Sequence, residues 1–317
     1  MSRPLTYLGY EAGWRVVRAV PPRAAAALFS AAADVATWRS GPGVRQLAGN
    51  LRRVVGAEVP DRQLDALVRA AVRSYLRYYL EVFRLPALSR GDVLRAFRLE
   101  LGQGLLRDAA AGRGAINALP HSGNWDAAGA WAAAMGFPIV TVAERLRPEH
   151  LYRRFVAYRQ SLGMEVLPLT GGEASLRRVL EDRCRRGYVV PLLADRDLAG
   201  TGVEVDFFGC RTTMPAGPAL LALRTGAPLY TLDMWYEEDA AVGRPRGPIE
   251  LSAGASATFG QRARQLTQVV ADRLAEGIAA HPVDWHMLQP VWPGPADAGT
   301  AVRPAPRRRL PGPRPRM

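Results

Sequence analysis

The run His121-Ser122-Gly123-Asn124-Trp125-Asp126 brings an imidazole and a carboxylate close together in the chain. It lies between a short apolar segment, Ala115 to Pro120, and an alanine-rich helical segment from Ala127 to Met135. That order reads as a strand end, a tight turn and a helix start, a corner whose side chains can meet a substrate beyond the strand ends. With Ser122 or Asn124 as the helix cap, Asp126 falls in the first turn, where the macrodipole favours a charged carboxylate. There it can accept a hydrogen bond from one ring nitrogen of His121, fix its tautomer, and leave the other nitrogen as a base toward a hydroxyl. Residues five apart do not face each other on a continuous helix, so this pairing requires a turn at Gly123 and Asn124. A bare H-x-x-x-x-D is equally well a capping Asp beside an unrelated loop His.

Composition narrows the classes. The chain has 317 residues, 48% hydrophobic and 22% charged, and is long enough for a substantial core. All 42 cationic side chains are arginine, against 29 acids, for a net charge of +13. With no lysine, Schiff-base chemistry and a P-loop cation are excluded. Cys184 and Cys210 stand far apart with no partner motif, which argues against a disulfide framework and suits a reducing compartment. The N-terminus lacks the layout of a secretory signal. The longest charge-free run, Ala127 to Ala143, is interrupted by Gly136 and Pro138 and falls short of the ~20 apolar residues of a spanning helix.

The elements that must position His121 follow from periodicity. Residues 1–100 read as mainly helical, with the clearest helix from Asp61 to Leu85. Arg69, Arg73 and Arg77 form a stripe on that helix, either a solvated face or a contact for anionic headgroups. From about residue 113 strands and helices alternate. Strands are expected at 115–120, 138–142, 164–169, 188–194, 228–236 and 248–252, and helices at 127–135, 149–163, 174–186 and 259–281. The expected fold is α/β: a central, largely parallel sheet flanked by helices, after a helical N-terminal region. Residues 1–100 are expected to be a membrane-docking part of the same domain, and 101–292 its core. Residues 293–317 hold seven prolines, six arginines and one acid, the composition of a disordered tail.

If the sheet is parallel, Asp195-Arg196-Asp197-Leu198, after the strand at 188–194, emerges on the same edge as His121. Glu144-Arg145-Leu146 follows the second strand, and Arg159 lies in the next helix. No Gly-rich phosphate loop, HExxH or cysteine-ligand set occurs, and Ser122 lacks a nucleophile-elbow context. His281 and His286 flank Trp285 in a segment expected to cover the sheet; packing or substrate contact is favoured there over a metal.

With these residues the chain resembles the bacterial lipid A biosynthesis (lauroyl/myristoyl) acyltransferase superfamily, and within it the actinobacterial phosphatidylinositol mannoside acyltransferases. The resemblance covers roughly residues 5–292. It rests on Arg73–Arg84, His121–Asp126, Glu144-Arg145-Leu146, Asp195–Leu198, Val203–Gly209 and His281–His286. It implies His121 as general base, with Asp126 the second member of its motif. Asp195 falls where the resemblance places a glutamate that orients the histidine, one methylene longer. Arg159 matches an arginine of the substrate groove. Glu144 and Arg196 are candidate contacts to the sugar hydroxyls and the phosphate-bearing substrate, or an ordinary salt bridge at the sheet edge.

The implied reaction moves a fatty acyl chain from acyl-coenzyme A, a co-substrate rather than a bound cofactor, to a sugar hydroxyl of an anionic glycolipid. No metal is required. The oxyanion would need backbone N–H groups or an Arg as donors. The implied location is peripheral, on the cytoplasmic face of the cell membrane. Alternatives are acylation of another glycolipid or a lysophospholipid and, from a different class, a basic nucleic-acid-binding protein.

Overall fold

A computed structural model describes residue 17 and residues 19–293, apart from 146, 173–174, 199 and 251–256. The expected disordered tail therefore lies almost wholly outside the described residues. Three helices come first: α1 (Pro22–Arg39), α2 (Pro42–Val55) and α3 (Asp61–Arg84), the first two opened by proline, whose fixed φ suits a first turn. Next come α4 (Arg90–Ala96), β1 (Phe97–Leu99) and α5 (Gln103–Ala110). The alternating part follows as β2 (Ala115–Leu119), α6 (Trp125–Ala134), β3 (Ile139–Ala143), α7 (Glu149–Ser161), β4 (Met164–Pro168), α8 (Leu176–Arg185) and β5 (Val189–Leu193). A hairpin of β6 (Val203–Phe207) and β7 (Cys210–Met214) leads to α9 (Gly217–Thr225), β8 (Leu229–Tyr236), β9 (Ala241–Arg246) and α10 (Phe259–Ala280).

Seven strands form the central sheet in the order β1-β9-β8-β2-β5-β3-β4. The five from β8 to β4 run parallel, while β9 returns antiparallel beside β8 and pairs in parallel with β1. The expectation of a largely parallel sheet holds. Its central strand β2 is buried at every position, as a strand covered on both faces must be. One strand assignment needs correction. The expected strand at 248–252 is replaced by β9 at Ala241–Arg246; Pro248 has no N–H to offer a ladder, and residues 251–252 lie outside the described set. The charge-free run of 127–143 divides into α6 and β3, and among the described residues no helix is long and apolar enough to cross a membrane.

A single apolar cluster joins Leu47 and Leu51 of α2 and Val68 and Val72 of α3 to Ile116, Val190, Leu274 and Trp285. The N-terminal helices thus share the core of the sheet. The arginine stripe of α3 is largely committed to protein partners. Arg69 and Arg73 both bind the Asp34 carboxylate of α1 in forked pairs, whose hydrogen bonds hold that carboxyl well below its usual range. Arg77 pairs with Glu81 and donates to the Glu237 carbonyl. Arg69 and Arg73 nevertheless remain about half exposed on the surface of α3. What α1 leaves uncovered is apolar: Leu28 is 62% exposed, Val35 47% and Trp38 81%.

Asn50 of α2 is 1% exposed and donates to the carbonyls of Met287 (2.8 Å) and Gln289 (2.9 Å), tying α2 to the segment that crosses the sheet after α10. Asn50→Ala leaves both carbonyls short of a donor and should cost about 1–3 kcal/mol. A lower urea midpoint at unchanged slope is the expected reading.

Candidate active site

His121 stands two residues beyond the end of β2, and Asp195 two residues beyond the end of β5. The two strands pair in parallel with Leu119 opposite Leu193, so the same register carries His121 alongside Asp195. Ala194 N–H donates to the Leu119 carbonyl at 2.9 Å and continues the ladder to the strand ends. The His121 ring Nδ1 lies 2.6 Å from Asp195 Oδ1, and the His121 backbone N–H donates to Oδ2 at 2.9 Å. A third donor, the indole Nε1–H of Trp285, reaches Oδ2 at 2.8 Å. Burial of the fully enclosed Asp195 acts to raise its carboxyl, but the neighbouring His121 and these hydrogen bonds outweigh it and hold it below the usual range. A carboxylate ionised at neutral pH must accept from Nδ1–H, so Nε2 is the nitrogen that faces away from Asp195.

Asp126 takes a different role from the expected one. Asn124 caps α6, accepting from Ala127 N–H at 2.9 Å, and Asp126 sits in the first turn as anticipated. Its carboxylate, however, is 1% exposed and bound by Tyr78 Oη at 2.8 Å and by Arg159 Nε at 2.6 Å. The helix turns this side chain toward α3 and α7, while the β2–β5 register gives Asp195 to His121. Asp126 therefore fixes Arg159, and the tautomer of His121 is set by Asp195. The shorter carboxylate at 195 makes direct contact with the ring.

The turn between them is tightly constrained. Gly123 has φ of +55°, and a Cβ there would lie 3.1 Å from the Trp235 backbone nitrogen, so glycine answers both the conformation and the close approach. Across the turn lies a strap formed by residues 282–286. Gly123 N–H donates to the Asp284 carbonyl (3.0 Å), and His286 N–H donates to the His121 carbonyl (2.7 Å). Asp284 is itself held by Ser74 Oγ at 2.6 Å and by Tyr236 N–H at 3.0 Å. His286 Nε2 sits 2.9 Å from Ser74 Oγ, and burial pushes its pKa down to about 3, so this histidine packs as a neutral ring. His281 stacks on Trp235 with ring centroids 4.4 Å apart.

A cavity of about 370 Å³ opens at this edge and is lined by His121, Tyr79, Trp125, Glu144, Arg159 and Arg196. Four of the six expected site residues, His121, Glu144, Arg159 and Arg196, border it; Asp126 holds Arg159 and Asp195 holds His121 from behind. Among the described residues neither Glu144 nor Arg196 forms an ion pair, so both remain open to a ligand. Tyr152 and Asp197 also line it, and the rest of the wall is largely apolar, including Val142, Phe155, Leu176 and Leu192. Behind Trp125 lies a smaller cavity of about 60 Å³ lined by Leu119, Leu232 and Met234. Among the described residues no cluster of three or more His, Cys, Asp or Glu is gathered as a metal would need. Sequence reasoning missed Tyr78 as a partner of Asp126 and Trp285 as a partner of Asp195; both lie in motifs it had singled out, but only tertiary pairing reveals what they touch.

A histidine backed by a buried carboxylate at the carboxyl edge of a parallel sheet is an arrangement that can take a proton from a hydroxyl. The model of the bacterial lipid A biosynthesis acyltransferase family matches residues 2–293, and the chain belongs to that family. Among its relatives is a phosphatidylinositol mannoside acyltransferase of Mycolicibacterium smegmatis, 49% identical over 291 residues that cover 91% of each chain. Another, from Mycobacterium tuberculosis and of the same name, is 48% identical over 294 residues, 92% of this chain and 90% of the relative.

Removing one member of the Asp126–Arg159 pair strands a buried charge. Asp126→Ala should destabilise the fold by about 3–5 kcal/mol. Asp195→Asn should instead leave the thermal midpoint nearly unchanged while turnover falls on the order of 10³-fold or more, because the amide no longer selects the Nδ1–H tautomer. Thermal melts and initial rates on the two purified variants separate these outcomes.

Proposed function

We propose that this acyltransferase moves a fatty acyl chain from acyl-coenzyme A to a sugar hydroxyl of a phosphatidylinositol mannoside, with His121 as general base. The observation that carries the proposal is the Nδ1–Asp195 contact at 2.6 Å, which leaves Nε2 of a cavity-lining histidine free to take a proton. A sugar hydroxyl is a weak nucleophile at neutral pH and needs such a base. Its oxygen attacks the thioester carbonyl carbon as its proton passes to Nε2. The carbonyl electron pair moves onto oxygen, then returns as the C–S bond breaks. The departing thiolate takes the proton from Nε2, so His121 ends each cycle neutral. Arg159, kept charged by Asp126, and Arg196 suit an anionic substrate, Glu144 suits sugar hydroxyls, and the apolar walls suit the acyl chain. The names of the relatives support the choice of acceptor.

The same reading places the protein peripherally at the inner face of the cytoplasmic membrane. The acceptor is a lipid, and α1 presents Leu28, Val35 and Trp38 between exposed Arg23 and Arg39. Leu28 and Val35 are two turns apart and so share a helix face, with Trp38 one turn further on. Apolar insertion with arginines at the rim gives reversible attachment.

The direct test is transfer from palmitoyl-coenzyme A to purified phosphatidylinositol mannoside, followed by mass spectrometry. His121→Ala should lose at least about 10²-fold in kcat while still binding palmitoyl-coenzyme A; near-normal turnover would remove the base. For attachment, Trp38→Glu should weaken co-sedimentation with anionic vesicles by about tenfold or more, since a buried indole contributes on the order of 2 kcal/mol. Binding unchanged by that substitution would move the docking face elsewhere.

A further inference from the structure

We infer that Trp285 is a positioning residue for the transfer, its indole N–H holding the Asp195 carboxylate in the plane that orients His121. The inference rests on the acyl-transfer reading above and extends it to a residue outside the strand ends. Asp195 is 0% exposed, so no solvent donor replaces a lost partner. Of its three donors, two belong to His121 itself and move with it. The third, from Trp285 at 2.8 Å, is anchored elsewhere and is the contact that keeps the carboxylate from turning together with the imidazole.

Trp285 is well placed for this task. It is 0% exposed, and its ring packs edge-on against Phe207 of β6 and against Trp292, at centroid distances of 6.3 and 6.2 Å. Its backbone bridges Ser122 in the turn, and the next residue, His286, donates to the His121 carbonyl at 2.7 Å. One short stretch therefore restrains His121 through its main chain and its carboxylate partner through a side chain. Residues that act on the base from a distance need this kind of rigid support, since loose supporting contacts misplace the reacting group.

The donor also shapes the charge. An N–H on Oδ2 draws off part of the negative charge of Asp195. Without it the carboxylate attracts positive charge on the imidazole more strongly. The other ionisable groups lining the cavity with His121 are Tyr79 on α3, Tyr152 and Arg159 on α7, Glu144 after β3, and Arg196 and Asp197 after β5, with neutral His286 in the strap. None of these touches the Asp195 carboxylate.

The experiment replaces Trp285 in the full chain with 3-benzothienylalanine, which keeps the bicyclic shape and puts sulfur where the N–H was. Wild-type transfer from palmitoyl-coenzyme A to phosphatidylinositol mannoside is measured first. Loss of a hydrogen bond to a charged group should lower kcat by about 10-fold or more, with KM for palmitoyl-coenzyme A within about twofold. The acid limb of the kcat profile should move upward, and the thermal midpoint should hold. In an Asp195→Asn background the same replacement should change kcat by less than about twofold, because its partner charge is already gone. Unchanged kcat and an unmoved acid limb in the analogue would overturn the inference, as would a loss repeated in full in the Asp195→Asn background. Where the analogue chain is unstable, Trp285→Phe is read in the same cycle: coupling to Asp195 supports the role, and additive losses overturn it. A wild-type chain that transfers nothing from the thioester would overturn the acyl-transfer reading itself, and this role with it.

Discussion

Parallel pairing of β2 with β5 is the constraint on which the site depends. The register that sets Leu119 opposite Leu193 leaves no choice about what stands beside His121 two residues later. A one-residue slip would turn His121 to the opposite face of the sheet. Both strands are mainly apolar, and β2 is buried at every position, which makes that slip costly, so the site geometry inherits the stability of the core. The same arrangement explains why an aspartate suffices where the resemblance suggested a longer side chain. The backbone delivers the carboxylate to the imidazole, and reach is not needed.

Buried charge is handled in a consistent way around this edge. Asp195 is neutralised by a histidine and two N–H donors, Asp126 by an arginine and a tyrosine, and Asp233 on β8 by Arg246 at 2.6 Å. Burial alone pushes such a carboxyl up; at Asp195 the neighbouring His121 and the hydrogen bonds outweigh it, whereas at Asp233 burial outweighs Arg246. The strap of residues 282–286 adds a second layer. It joins the His121 turn to Ser74 on α3, and just beyond it Met287 and Gln289 are held by Asn50 on α2. Arg69 and Arg73 of α3 in turn bind Asp34, so α1, the helix proposed to face the membrane, is linked through polar contacts on α3 to the turn that carries His121.

Much of this was legible in the chain. Alternating apolar and helical segments gave the parallel sheet, and the turn chemistry of Gly123-Asn124 gave the strand-to-helix corner with Asn124 as its cap. His121, Glu144, Arg159 and Arg196 fall around one cavity, as their positions after strands or in the next helix imply. The partner of His121 was less accessible. Local spacing offered Asp126, while the parallel-sheet reading and the resemblance offered Asp195; the contact is made by Asp195 at 2.6 Å, because the pairing of β2 with β5 sets the two strand ends side by side. Strand β9 escaped notice since Ala241-Val242-Gly243-Arg244-Pro245-Arg246 carries neither alternation nor a β-branched run; it pairs because β8 beside it offers a ladder. The arginines of α3 looked like a free stripe, and only the packing of α1 reveals the Asp34 that takes two of them.

The account turns on which nitrogen of His121 carries the proton. Nitrogen-15 NMR of the histidine-labelled full chain, at a pH where the ring is neutral, reads this directly. Geometry with Asp195 at Nδ1 predicts a proton on Nδ1 that exchanges slowly and disappears in Asp195→Asn, with Nε2 bare. A neutral ring protonated on Nε2 would contradict it, since that nitrogen would then have no room for the proton of an attacking hydroxyl.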